Sequence, residues 1–146
     1  MTRSDRMAPV QKVLDKKEKD RARELGEVRA RLAAAETKLA DLEQYRQDYE
    51  QAFQQRAKAG QNVRALRDFQ VFLARLDQAI QQQRQVVATA QSDVGGHSSL
   101  WQSAARKVKA VDSVVDRWQG EERLAQDRRD QKETDERAQR AARPRS

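Results

Sequence analysis

The sequence has no cysteine, which excludes a disulfide framework and a thiolate metal site and removes any need for an oxidising compartment. Proline occurs only at Pro9 and Pro144, so the long stretch between them lacks the strongest helix breaker. Hydrophobic residues make up 37% of the 146 and aromatic residues only 5%, against 36% charged. That is too lean for a layered globular core. The longest aliphatic run, Leu32 to Ala35, is far short of a membrane span. The first thirty residues alternate charges without the apolar centre of a signal peptide. A cytoplasmic protein with no direct membrane insertion is therefore expected.

What the chain does have is helix formers. Ala, Gln, Glu, Arg and Leu dominate, and the few apolar side chains are periodic, which argues against disorder, the competing reading of such polarity. From Leu66, steps of three and four residues reach Phe69, Leu73, Leu76, Ile80, Gln83, Val87, Ala90, Val94, His97, Trp101, Ala104, Val108, Val111, Val115 and Trp118 without a skip. Every first position of that heptad is apolar, as a left-handed coiled-coil seam requires. The first half repeats the pattern at Leu25, Val28, Leu32, Ala35, Leu39 and Leu42; Arg46 interrupts it, and Tyr49 and Phe53 resume it. Leu14 shares the phase, whereas Glu18 and Arg21 supply no apolar side chain.

Between the halves lies Ala59-Gly60-Gln61-Asn62. Gly60 can take the left-handed conformation that ends a helix, and Asn62 can cap the next. The expected fold is all-α: a long two-helix antiparallel coiled-coil hairpin in a single domain spanning 1–146. Helix 1 would cover about 9–58, the turn about 59–62 and helix 2 about 63–140, with frayed ends at 1–8 and 141–146. Folding about the turn pairs residues whose numbers sum to about 121, so the second helix outruns the first beyond roughly residue 115. Gly95 and Gly96 mark a soft spot rather than a break, because the heptad phase passes through them unshifted. Gly26 falls opposite, which fits either a close helix approach or a flexible joint.

Tyr45, Tyr49, Phe53, Phe69 and Phe72 all fall near the turn. Tyr45 and Phe72 flank the seam, and the pairing sets Leu42 beside Ala79, Tyr45 beside Leu76 and Tyr49 beside Phe72. A two-helix structure has no third layer to cover this stripe, which continues at Ala52 and Val86 and reads as a docking surface for a protein partner. A plain widening of the core is the alternative. The net charge of +7 resides in the terminal portions: residues 1–31 hold ten basic and six acidic side chains, 32–100 eight of each, and 101–146 twelve and nine. Part of it is a solvated helix face with i to i+4 pairs; the remainder suits an acidic partner. Nucleic acid is not expected, because acids interleave every basic stretch and the aromatic residues are distant from the excess charge.

Catalytic chemistry has no foothold here. His97 is the one histidine and falls in the seam, the carboxylates are scattered over helix surfaces, and no glycine-rich phosphate loop occurs. No catalysis, metal or cofactor is expected.

Three runs together resemble the flagellar FliJ family: Leu25-Gly26-Glu27 through Leu39-Ala40-Asp41-Leu42-Glu43-Gln44-Tyr45-Arg46-Gln47-Asp48-Tyr49, then Phe69-Gln70-Val71-Phe72-Leu73-Ala74-Arg75-Leu76-Asp77-Gln78-Ala79-Ile80-Gln81-Gln82-Gln83, and the ending Asp130-Gln131-Lys132-Glu133-Thr134-Asp135-Glu136-Arg137-Ala138-Gln139-Arg140. The resemblance implies a non-enzymatic component of the flagellar type III export apparatus, peripheral to the inner membrane and shaped like the stalk of a rotary ATPase. Its implied partners are the hexameric export ATPase, the cytoplasmic domain of the export gate and export chaperones. The gate-binding patch it implies corresponds to Leu42, Tyr45, Tyr49, Phe72, Leu76 and Ala79. Lys38 and Gln83 occupy two further patch positions where a neutral amide and a histidine are expected. Leu14, Lys17, Arg21, Gln131 and Asp135 are the residues assigned to the ATPase ring. The equivalent stalk of a virulence secretion system and a nucleic-acid-coating coiled coil are the alternatives.

Overall fold

The computed structural model describes residues 1–144. Among them the secondary structure consists of two helices, α1 (Arg3–Lys58, 56 residues) and α2 (Val63–Ala142, 80 residues), packed antiparallel, with no strand. The turn between them is chemically specified. Gly60 has φ +80, and its N–H reaches the Ala57 carbonyl at 3.2 Å while that of Gln61 reaches Arg56 at 3.2 Å. This pair of bonds is the Schellman closure of a helix C-terminus. Asn62 then caps α2, its side-chain oxygen accepting from the Ala65 N–H at 2.8 Å.

α1 begins at Arg3 rather than near residue 9. A capping box sets this start: the Asp5 N–H donates to Thr2 Oγ1 at 3.2 Å, and the Thr2 N–H donates to the Asp5 carboxylate at 3.1 Å. Pro9, the expected boundary, lies inside the helix and removes one intrahelical bond without ending it. Of the loose end expected over 141–146, Arg145 and Ser146 lie outside the described residues; α2 itself continues to Ala142.

The packing falls into two compact units, Arg21–Trp101 and Met1–Asp20 with the described residues from Gln102 onward. In the unit Arg21–Trp101, Leu25, Val28, Ala35, Phe69, Leu76, Ile80 and Val87 form the buried seam. Contacts across it have residue numbers summing to 121 for Tyr49 with Phe72 and for Glu24 with His97, and to 123 for Arg46 with Asp77. A Cβ built at Gly26, Gly95 or Gly96 would meet nothing within 4 Å, so no close helix approach accounts for these glycines. α2 runs through Gly95 and Gly96 unbroken.

In the other unit, Ala104 and Val115 are buried, with Met7, Leu14, Val108, Val111 and Trp118 half-buried around them. Gln11 Nε2 donates to Asp112 at 2.9 Å. At the start of α1, Arg3 lies 4.1 Å above the Trp118 ring and 3.1 Å from Glu121. Ser4 is only 5% exposed. Its N–H donates to one Glu122 carboxylate oxygen at 3.0 Å and its hydroxyl to the other. α2 is paired as far as Glu122 and exposed from Arg123 onward. The overhang thus starts later than residue 115, because α1 starts earlier.

Candidate protein-docking face

The aromatic residues sit where helix geometry puts them. Tyr45 and Tyr49, four apart, share one face of α1, and Phe69, Phe72 and Leu76 follow the three-four spacing on α2. Tyr49 stacks between the two phenylalanines, with ring centroids 4.6 Å from Phe69 and 4.5 Å from Phe72. Tyr45 lies over the edge of this group, 6.1 Å from Phe72 and 6.3 Å from Tyr49. Phe53 completes it at 5.8 Å from Phe69, and Arg56 stands 4.8 Å above the Phe69 ring. Such ring pairs contribute about 0.5–1.5 kcal/mol each beyond their burial. Tyr45 remains 50% exposed, so a large aromatic surface faces outward from a rigid base.

The residues assigned to the patch therefore differ in access. Tyr45 and Lys38 are exposed; Leu42, Tyr49, Phe72 and Ala79 are half-buried. Leu76, at 7% exposure, and Gln83, at 6%, belong to the seam. Gln83 Nε2 donates to the Ala35 carbonyl at 3.0 Å, which holds it inward. Leu76 supports the face from beneath.

Beside this face Arg46 occupies the position where the apolar pattern of α1 breaks. Its guanidinium bridges the helices, with Nε and Nη2 directed at the two Asp77 oxygens and Nη1 2.7 Å from Glu50. Hydrogen bonding to Asp77, then to Glu50, raises the Arg46 pKa, and the same bond lowers that of Asp77. Arg84 and Glu43 add a second crossing at 3.5 Å.

A groove lies in the same unit, lined by Val28, Ala35 and Ala90, with Val86 at its side; its volume is about 370 Å³. Val86 is 51% exposed. Arg31 on α1 and Asp93 on α2 line the groove without forming an ion pair among the described residues. Sequence reasoning found Val86 as the end of the aromatic stripe but missed the groove, whose small floor residues carry no aromatic signal. It also missed Arg46 as a cross-helix bridge and the capped first turn of α1, although Thr2-Arg3-Ser4-Asp5 has the spacing of a capping box.

His97 is half-buried in the seam. Its Nδ1 has no hydrogen-bond partner among the described residues and lies 3.8 Å from Glu24, which Arg21 holds at 3.0 Å. Among the described residues no cluster of His, Asp or Glu has a metal-binding arrangement, and no helix is long and apolar enough to cross a membrane.

The residues assigned to the ATPase ring are distributed between the units. Leu14 is half-buried and Lys17 exposed in the unit that holds the chain termini, where Gln131 and Asp135 bond each other at 3.1 Å on the exposed part of α2. Arg21 belongs to the other unit and is occupied by Glu24.

The family model described as "Flagellar FliJ protein" matches residues 3–146. The Flagellar FliJ protein of Escherichia coli K12 is 31% identical over 136 residues, covering 93% of this chain and 92% of its own length. That of Salmonella typhi is 32% identical over 130 residues, 88% and 87% of the two chains. No solved structure matches the chain.

Proposed function

Because the chain belongs to the flagellar FliJ family, we propose that it is a non-enzymatic component of the bacterial flagellar type III export apparatus. It acts in the cytoplasm, held peripherally at the inner membrane by the proteins it binds. The observation that carries this reading is the aromatic face, where Tyr45 is 50% exposed on a base of stacked Tyr49, Phe69 and Phe72. Exposed aromatic anchors on a rigid support are what a protein-binding hot spot needs.

In this reading the aromatic face binds the cytoplasmic domain of the export gate, with Leu42 and Ala79 at its edges and Leu76 beneath. Lys38 lies at the rim, and Gln83 sets the seam rather than touching the gate. The exposed end of α2 with Gln131 and Asp135, together with Leu14, Lys17 and Arg21, serves the hexameric export ATPase as a stalk and promotes ring assembly. Export chaperones are the third class of partner. The paired test is gate binding and ATPase stimulation. Tyr45→Ala/Phe72→Ala should weaken gate binding at least about tenfold with helicity retained. The unaltered chain should raise ATP turnover and hexamer formation by the export ATPase. Unchanged gate affinity removes the docking face from the reading; no effect on turnover or assembly removes the stalk.

A further inference from the structure

The groove at Val86 has the shape and charge of a seat for one more helix. Val28 and Ala35 on α1 and Ala90 on α2 give it a floor of small apolar side chains, allowing a third backbone to approach. Its α1 wall carries Arg31. Lys38 stands seven residues on, on the same side of that helix and about 10 Å along the axis, just beyond the residues that line the groove; both are exposed and neither is in an ion pair among the described residues. The opposite wall carries Asp93 at one end. Arg31 and Asp93 line the same opening without closing a bridge across it, so both charges remain available to an occupant.

We propose that this groove binds an amphipathic helix of a partner protein. The apolar face of that helix packs on Val86 and Ala90, two acidic side chains seven residues apart meet Arg31 and Lys38, and a basic side chain on its other edge meets Asp93. The charge pattern fixes the direction and register of the bound helix, while the apolar floor supplies the buried area. Lys38 is shared with the rim of the aromatic face, while Arg31 and Asp93 belong to the groove, and the test below reads the groove without the gate.

The experiment uses the full chain and a fluorescein-labelled synthetic amphipathic helix of about 21 residues, long enough to span the groove. The peptide carries leucine on one face, two glutamates seven apart on one edge and a lysine on the other; a control peptide replaces the glutamates with lysine. Fluorescence anisotropy should show the glutamate peptide binding at least about tenfold more tightly than the control. Arg31→Glu/Lys38→Glu should reverse that preference, and Val86→Arg should abolish binding, with the helical circular dichroism of each variant unchanged. Equal affinity for both peptides, a preference that survives the charge reversal, or no binding of either to the folded chain would overturn the proposal. Sedimentation of the chain alone provides the remaining outcome: a dimer dissolved by Val86→Arg would assign the groove to self-association and overturn it equally.

Discussion

At the scale of single residues, polar side chains placed in the seam separate specificity from stability. Arg46 takes a position that an apolar side chain would fill, and it satisfies its charge on Asp77 and Glu50. Both carboxylates are solvent-facing, so losing Arg46 leaves no buried orphan charge. Arg46→Leu should therefore raise the urea midpoint by restoring an apolar seam, whereas Arg46→Ala should lower it. A leucine variant less stable than the parent would show that the bridge outweighs burial. Glu122 behaves differently, because it accepts from the hydroxyl of Ser4 and then from its N–H, which lower its pKa. Asp5 is lowered as well, by the Thr2 hydroxyl and then the Thr2 N–H. A depressed folded-state pKa adds stability above the ordinary carboxylate range and loses it as pH falls through the lowered value. Acidification should thus release the first turn of α1. In a Trp101→Phe background, Trp118 emission should shift as Arg3 and its neighbours leave the ring, and Glu122→Gln should produce much of that shift already at neutral pH.

At the scale of the helices, three glycines make opposite predictions from one chemical change. Gly95 and Gly96 have helical backbone and open space for a Cβ, so Gly95→Ala and Gly96→Ala should each stabilise α2 by about 0.5–1 kcal/mol. Gly60 also has open space, but its φ of +80 disfavours any Cβ, so Gly60→Ala should lower the melting temperature. Thermal unfolding of the three variants checks both signs. The helices also show how far the sequence could be read. Every position of the three-four register from Leu66 to Trp118 is buried or half-buried, because on α2 most of those positions are apolar and hydropathy exposes the phase. On α1 the same phase extends from Ser4 through Glu18, Arg21 and Arg46 to Phe53, all buried or half-buried. Hydropathy fades there because polar side chains fill the register; Ser4, Gln11 and Arg46 find partners on the facing helix, and Arg21 pairs with Glu24 on its own. Gly60 and Asn62 were legible because turns and caps are local; Ser4 with Glu122 was not, since nothing local announces a contact 118 residues apart. At the docking face the ring cluster could be read from spacing. The inward turn of Gln83 could not, because its side chain selects the Ala35 carbonyl only once the helices have met.

At the scale of the whole molecule, the apolar core is unevenly shared. Seven of the nine buried hydrophobic residues, Leu25, Val28, Ala35, Phe69, Leu76, Ile80 and Val87, lie in the unit Arg21–Trp101; Ala104 and Val115 are the two in the other. Local stability follows buried apolar contact. Amide exchange should be fastest over residues 123–142, intermediate over 3–20 and 102–122, and slowest within 21–101. Uniform protection across these ranges would contradict that order.

That a single residue, Gln61, separates the Schellman glycine Gly60 from the cap at Asn62 also constrains how a gene for such a chain can change length. There is no slack at the turn to absorb an offset. Inserting one codon within either arm turns everything beyond it by about 100° and carries the apolar row away from its partner. Deleting or duplicating seven codons keeps the phase but leaves one arm longer by a heptad. Length variants that keep the pairing should therefore arise as matched changes of seven in both arms, whereas the stretch after Arg123, which has no facing arm to match, is free to lengthen or shorten one residue at a time.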